Sequence, residues 1–151
     1  MFLFVARYLG CLKFIPGLAI LFDPLLNLWT FLCQPRLLDW MDEIEKEVLT
    51  WDGTTSSIHK YGGLQLNYQG KEIGHIHSNG LLDMLLSRKI KEQLMQDPRV
   101  KDHHTFTNSG WISFYIHTEQ DAGYALELLK LGYTKITRNS SVMDFPANIS
   151  A

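Results

Sequence analysis

The feature that most constrains the fold is a regular alternation of apolar and polar residues in two parts of the chain. Residues 64–68 alternate, Gln69-Gly70 follows as a pair typical of a tight turn, and residues 72–77 alternate again. Residues 111–117 repeat the pattern. Because successive side chains of a strand point to opposite faces of a sheet, the sequence predicts a β-hairpin and a further half-buried strand.

Amphipathic helices are predicted on both sides of these strands. Residues 36–51 carry apolar side chains at three- and four-residue spacing. Residues 118–121 resemble a capping box, and the helical stripe that follows them can end at Gly132. Ser87 is suited to cap a short helix that ends before Pro98. Helical segments therefore precede, interrupt and follow the strands.

The predicted order is helix, three or four strands, short helix, two strands, helix. The first strand is expected near residues 57–61, and residues 81–86 fit either a strand or a helix. Hairpins outnumber crossovers, which favours an α+β fold with a mostly antiparallel sheet and helices packed on one face. The chain of 151 residues should hold one such domain at 36–137, an apolar segment at 1–35 and a tail at 138–151.

Composition excludes several classes of function. The net charge of −2 gives no basic excess for a phosphate backbone, so we expect no nucleic-acid partner. Both cysteines, Cys11 and Cys33, lie in the apolar segment, which leaves no disulfide framework or CxxC metal knuckle. The chain has no G-x-S-x-G, P-loop, G-x-G-x-x-G or H-E-x-x-H motif, which argues against serine-hydrolase, NTPase, dinucleotide-dependent and zincin chemistry.

Residues 1–33 are far more apolar than the remainder, but charged residues and prolines interrupt them. No uninterrupted apolar run reaches the roughly 20 residues of a spanning helix, and no small-x-small cleavage site follows. We expect short helices at a membrane surface, with the domain on the cytoplasmic side, because so large an apolar surface exceeds what a soluble monomer exposes. Packing on the domain or on a second subunit is the alternative.

Deleting residues 1–33 should convert a protein that needs detergent into a soluble, folded domain. The physical reason is that the deletion removes the apolar surface and leaves the predicted core complete. Sedimentation and circular dichroism of the two forms with and without detergent would measure this. A truncated form that unfolds, beside a full-length form that is soluble without detergent, would instead assign the segment to the core.

Histidines supply the candidate site. His75 and His77 are two apart in a predicted strand, so their imidazoles should lie side by side on one face. One of the neighbours His103 and His104 can join them, and Asp83 is the best placed carboxylate in the sequence. Such a set can hold a divalent metal through His75, His77 and one histidine of the second pair, with Asp83 completing or orienting the set.

The same residues permit two other interpretations. Without a metal, a histidine of this set acts as a general base on a small acidic compound, with Trp111 and Tyr115 as aromatic walls and His103 contacting the substrate. In a purely structural interpretation, the histidines are hydrogen-bonded in a polar seam and Asp83 caps a turn.

These residues resemble a known family. The run Lys71-Glu72-Ile73-Gly74-His75-Ile76-His77, with Asp83, the histidine pair, Ser109-Gly110-Trp111 and a last helix ending in Gly132-Tyr133, is similar to the luciferase-like domain of fungal luciferases and many small bacterial proteins. The similarity spans residues 51–133. It carries over His75, His77 and His104, which implies that His104 is the inward member of its pair and the third metal ligand, and that His103 is the outward member. Asp83 corresponds to an aspartate in the bacterial relatives and to a histidine in the light-emitting enzymes.

The resemblance implies a function as well as a fold. Fungal luciferases oxygenate a hydroxylated pyrone with O₂, add no organic cofactor and carry an apolar N-terminal anchor. We therefore expect an oxygenase or oxidoreductase acting on a small aromatic or enolic compound, with either no cofactor or a divalent metal. The alternative is a membrane-associated module that binds a small ligand or metal without turnover. The element order also resembles the small α+β domains of the MmcQ/YjbR type, usually discussed as binding modules.

Overall fold

A computed structural model describes residues 34–60 and 62–143, with side chains up to residue 138. The membrane-associated helices predicted for residues 1–33 lie outside these described residues. The described elements, in chain order, are α1 (Pro35–Val48), β1 (Thr54–Ile58), β2 (Leu64–Tyr68), β3 (Lys71–Ile76), β4 (Leu81–Leu85), α2 (Arg88–Leu94), β5 (Val100–Asp102), β6 (Trp111–Tyr115) and α3 (Glu119–Met143).

The six strands form a single sheet in the order β1-β2-β3-β4-β6-β5, and every neighbouring pair is antiparallel. This confirms the predicted α+β class and the predicted order of helices and strands. The predicted turn is also confirmed, because Gln69 and Gly70 both have positive φ, at 46° and 76°, as a two-residue hairpin turn requires.

Helices α1 and α3 pack against each other on one face of the sheet, and α3 contacts β2, β3 and β4. The apolar stripe of each helix and the apolar residues of the strands meet there and exclude water, which supplies most of the stabilisation. No helix within residues 34–60 and 62–143 combines the length and hydropathy needed to cross a bilayer. The core side chains exposed by 2% or less are Leu37, Ile44, Val48, Leu66, Ile73, Ile76, Leu82, Met84, Leu86, Val100, Ile112, Phe114, Ile116, Ala125, Leu128 and Leu129.

Two helix caps match the sequence. Ser87 Oγ accepts a hydrogen bond from Ile90 N at the start of α2. At the start of α3, Thr118 Oγ1 accepts from Asp121 N, and Asp121 Oδ2 accepts from Thr118 N in return. This reciprocal pair is a capping box in which aspartate replaces the usual glutamate.

The prediction that the last helix ends at Gly132 is wrong, since α3 continues to Met143 and enters the segment predicted as a tail. Gly132 is a packing residue: a Cβ there would lie 2.8 Å from Met84 Cε and 3.3 Å from Ile73 Cγ2. Because glycine has no side chain, α3 can approach the sheet closely at Gly132. The first strand also begins earlier than predicted, at Thr54, and ends at Ile58, because the chain turns after it through hydrogen bonds between His59 and the two glycines that follow.

Candidate functional site

A row of polar side chains crosses the face of the sheet opposite the helices. The register pairs His75 with Asp83, and Asp83 with Ser113, on adjacent strands. Paired residues in an antiparallel sheet project from the same face, with Cβ atoms about 5 Å apart. The residues of this row, from β1 to β5, are Ser57, Gln65, His75, Asp83, Ser113 and Lys101.

Asp83 is the centre of the site and is only 1% exposed. Its Oδ2 atom lies 3.2 Å from His77 Nε2, 3.8 Å from His75 Nε2 and 3.8 Å from His103 Nε2. Three imidazoles thus point the same ring nitrogen at one carboxylate oxygen. The predicted convergence of His75, His77, Asp83 and one of the second histidine pair is confirmed.

The Asp83 carboxylate is held as an anion. Burial alone would raise its pKa, but hydrogen bonds from His77 and Ser113 and the nearby His103 lower the pKa below its ordinary value. Ser113 Oγ donates to Oδ1, which leaves Oδ2 facing the imidazoles. Removing a buried anion that several donors share leaves those donors unsatisfied, so this residue determines the state of the whole cluster.

Glu72 also belongs to the site. In a regular strand it would face away from His75, but β3 has a bulge: Leu66 pairs with Gly74 while the next residue, Asn67, pairs with Glu72. The extra residue is Ile73, which is buried in the core. The bulge shifts the alternation by one position and brings Glu72 Oε1 to 2.6 Å from His75 Nδ1.

The contact with Glu72 fixes the tautomer of His75. The hydrogen bond from His75 lowers the pKa of Glu72, so Glu72 is a carboxylate that can only accept. Nδ1 of His75 must therefore carry the hydrogen, and in the neutral ring the lone pair is on Nε2, which faces Asp83. His59 stacks on the same ring, with centroids 3.9 Å apart and planes 7° from parallel, and its burial lowers its own pKa.

The predicted roles of the second histidine pair are reversed: His103 is the inward member and His104 the exposed one. The reason is the alternation of side chains between the two faces of the sheet along β5 and the residues that follow it. Val100 pairs with Phe114 on the core face and Lys101 pairs with Ser113 on the polar face. Two residues beyond Lys101, His103 returns to the polar face, while His104 stacks on its outer side at 4.5 Å.

His103 has the opposite tautomer from His75. Its Nδ1 atom accepts hydrogen bonds from the backbone N–H groups of Thr105 and Phe106. Burial lowers the pKa of the ring, which favours the neutral form despite the nearby Asp83. A neutral ring whose Nδ1 accepts carries its hydrogen on Nε2. His103 therefore presents an N–H toward Asp83, whereas His75 in its neutral form presents a lone pair.

Aromatic rings cover one side of the cluster. Trp111 lies with its centroid 6.0 Å from His75 and 5.4 Å from His103, as expected of a wall residue. Phe106 stacks on His103 at 5.1 Å and is 52% exposed. Tyr115 is more remote: its ring stacks on His117 at 5.4 Å, and burial followed by the charge of Asp83 raises its pKa.

The loop that carries His103 and Phe106 is anchored by Lys91 of α2. The Lys91 side chain is 8% exposed, and Nζ donates to the Asp102 carboxylate, to Thr107 O at 2.8 Å and to Ser109 O at 3.0 Å. One ammonium group thus joins both ends of the loop to the helix.

Two overlapping groups of side chains have the donor atoms of a metal site. Ligand atoms of His75, His77 and Asp83 all lie within 4.8 Å of one another, and so do those of His59, Glu72 and His75. The set predicted from sequence differs from both, because His104 is exposed and lies behind His103.

Sequence reasoning missed several members of the site. His59 follows β1 in a short loop that has no periodic signal, and Glu72 required knowledge of the bulge. Phe106 could have been found as the one aromatic residue in an otherwise polar loop. The alternation of residues 111–117 places Ser113 on the polar face, but its pairing with Asp83 depends on the order of the strands in the sheet.

Comparison with known proteins gives one match. Residues 70–132 match the family model described as Luciferase domain. None of the curated proteins and none of the solved structures compared with the chain matches it. The match covers β3 to β6 and the first half of α3, and therefore His75, His77, Asp83 and His103, but neither His59 nor α1. Residues 70–132 therefore match a luciferase-like domain, which confirms over this range the resemblance drawn from the sequence.

Proposed function

We propose that this protein is an oxidoreductase of the oxygenase type, acting with O₂ on a small aromatic or enolic compound at the polar face of the sheet. The observation that supports this most directly is the convergence of three imidazole Nε2 atoms on the single buried oxygen Oδ2 of Asp83. The luciferase-like domain supports the choice of O₂ as oxidant.

The chemistry of such a substrate fits the cluster. An enol or phenol becomes electron-rich enough to react with O₂ when it loses its hydroxyl proton, and imidazole is the side chain best suited to move protons near neutral pH. The neutral form of His75 offers a lone pair on Nε2, and His103 offers an N–H, so the site can supply both an acceptor and a donor. A substrate oxygen between them would be deprotonated on one side and hydrogen-bonded on the other.

The aromatic side chains favour a planar compound. Trp111 and Phe106 lie next to His103 with their ring centroids 6.1 Å apart, and the exposed ring of Phe106 offers a surface on which a flat molecule can stack. Stacking between aromatic rings contributes roughly 0.5–1.5 kcal/mol beyond the burial of area. It would also hold the substrate hydroxyl at a fixed distance from the histidines.

O₂ consumption by the full-length protein with a panel of phenols and hydroxylated pyrones tests the proposal. We expect turnover of at least one compound, and a loss of about 100-fold or more in Asp83→Asn, because the imidazoles lose the anion that orients them. The matched control is Asp39→Asn, which changes an exposed aspartate of α1 and should leave the rate unchanged.

Two results would count against this function. Equal rates in the Asp83→Asn and Asp39→Asn variants would place the reaction elsewhere on the protein. A compound that binds with measurable affinity, changes the fluorescence of Trp111 and causes no O₂ uptake would instead favour a ligand-binding module without turnover.

A further inference from the structure

We propose that the site binds one divalent transition-metal ion through His75 Nε2, His77 Nε2 and Asp83 Oδ2. This rests on the proposed function and deepens it, and it changes one role. A lone pair of His75 Nε2 that binds an ion cannot accept the substrate proton, so the ion would favour the deprotonated hydroxyl in its place. The metal site is nevertheless testable without turnover. The three donor atoms lie within 4.8 Å of one another, and ligands bonded to one ion at about 2.1 Å need only a small contraction from such separations.

The donor set indicates the class of metal. Two imidazoles and one carboxylate on one side of an ion leave its remaining positions open, an arrangement associated with Fe(II) in oxygenases and compatible with Co(II) and Zn(II). All three donors come from two adjacent strands or the residue that follows β3, so the sheet holds their spacing. Preorganised ligands on a rigid element bind more tightly than ligands on a mobile loop.

The strongest evidence is the second layer of contacts. Metal-binding histidines almost always donate their other ring N–H to a carboxylate or carbonyl, which fixes the ring and makes the ligating nitrogen more basic. Glu72 makes this contact with His75 Nδ1 at 2.6 Å. Asp83 has an equivalent support, because Ser113 Oγ donates to Oδ1 and leaves Oδ2 directed at the imidazoles.

The β3 bulge makes the contact with Glu72 possible. A bulge interrupts the sheet hydrogen bonds. In a regular strand Ile73 would share the polar face with His75 and Glu72 would face the core, so the bulge both buries Ile73 and moves Glu72 to the polar face. Its effect on the polar face is to turn a carboxylate toward the distal nitrogen of His75. We infer that Glu72 is a positioning residue for this ligand.

The same hydrogen-bond reasoning excludes other ligands. His103 Nδ1 accepts from two backbone N–H groups, so Nε2 carries hydrogen and has no lone pair to offer. Glu72 accepts the hydrogen bond from His75 Nδ1, and His59 stacks on the same ring. The group of His59, Glu72 and His75 therefore holds the ring of His75 in place and is not a second metal site. Metal binding would displace the hydrogen that His77 Nε2 donates to Asp83 Oδ2. In a neutral ring this hydrogen would move to Nδ1, so that His77 would bind the ion as a neutral imidazole.

Titration of the metal-stripped full-length protein with Co²⁺, followed by visible absorption and by competition with Zn²⁺, tests the site. We expect one Co²⁺ per chain. Asp83→Asn and His77→Gln should each raise the Kd by about 100-fold or more, and Glu72→Gln by about 10- to 100-fold. His104→Gln and Asp39→Asn are the matched controls, and their Kd should stay within about twofold of the parent.

A second measurement reports the tautomer of His75 directly. In the ¹⁵N spectrum of the metal-free protein, His75 should show a protonated Nδ1 and an unprotonated Nε2, and Glu72→Gln should weaken that preference. Absence of stoichiometric Co²⁺ and Zn²⁺ binding, or equal losses in the control variants, would overturn the metal site. O₂ uptake that survives metal removal would overturn its role in turnover while leaving the proposed oxygenase intact.

Discussion

Replacing Gly110 by alanine should destabilise the domain by about 4 kcal/mol, among the largest effects expected of a single methyl group. A Cβ at this position would lie 1.8 Å from Leu86 O and 2.7 Å from Leu86 C. These are backbone atoms, so no side-chain rotation relieves the overlap. The chain next to Gly110 must move, which disturbs the hydrogen bond from Leu86 N to Gly110 O and the start of β6.

Thermal unfolding of the variant measures this effect, and a fall of roughly 15–30 °C in Tm is expected for a domain of this size. The control is Gly123→Ala in α3, where a Cβ would meet nothing within 4 Å. Alanine stabilises a helix interior by roughly 0.5–1 kcal/mol relative to glycine, so this variant should melt slightly higher. Similar Tm values for the two variants would contradict the close approach at Gly110.

Replacing Lys91 by methionine should cost about 3 kcal/mol and also disorder one side of the site. The substitution keeps the length of the buried side chain and removes the ammonium group, so Thr107 O and Ser109 O lose their shared donor. Because these carbonyls lie at the far end of the loop, the loss should release Phe106 and His103 as well.

The matched control is Lys89→Met, an exposed lysine on the same helix. Denaturant unfolding should show a clear loss for Lys91→Met and a change within about 0.5 kcal/mol for Lys89→Met. Hydrogen exchange should show faster exchange of the backbone amides of Thr105 and Phe106 in the Lys91 variant, since His103 accepts from them. Unchanged exchange there would mean that the loop holds its shape without the lysine.

The sequence was sufficient for the fold class and for the centre of the site, because both depend on periodicity. The alternation of residues 72–77 placed His75 and His77 together, and Asp83 was found because a carboxylate in an apolar run is unusual. The element order followed from the same patterns and from caps at Ser87 and Thr118. Hydrophobic periodicity is enough to predict an element when the same spacing of apolar residues continues from its first residue to its last.

The predictions failed where the alternation of a strand is interrupted, or where contact with a residue distant in sequence determines the local structure. One inserted residue at the β3 bulge reversed the side on which Glu72 lies. Whether His103 or His104 faces the site depends on which residue of β5 pairs with Phe114. A strand of three residues is too short for its sequence to show this register. At Gly132, contact with Met84 across the interface outweighed the helix-ending tendency of glycine.

The polar row across the sheet has a thermodynamic consequence. Its central residues, His75, Asp83 and Ser113, come from β3, β4 and β6, so the site is complete only when two strand pairings are in register together. A chain with the β3–β4 pairing broken would separate His75 from Asp83, and one with the β4–β6 pairing broken would lose the hydrogen bond that orients Asp83, so ligand binding there would be lost or weakened. Any ligand therefore shifts the population toward the fully paired sheet, by about 2.7 kcal/mol at a concentration 100 times Kd. Ligand binding at the histidine cluster and pairing of the strands are therefore thermodynamically coupled.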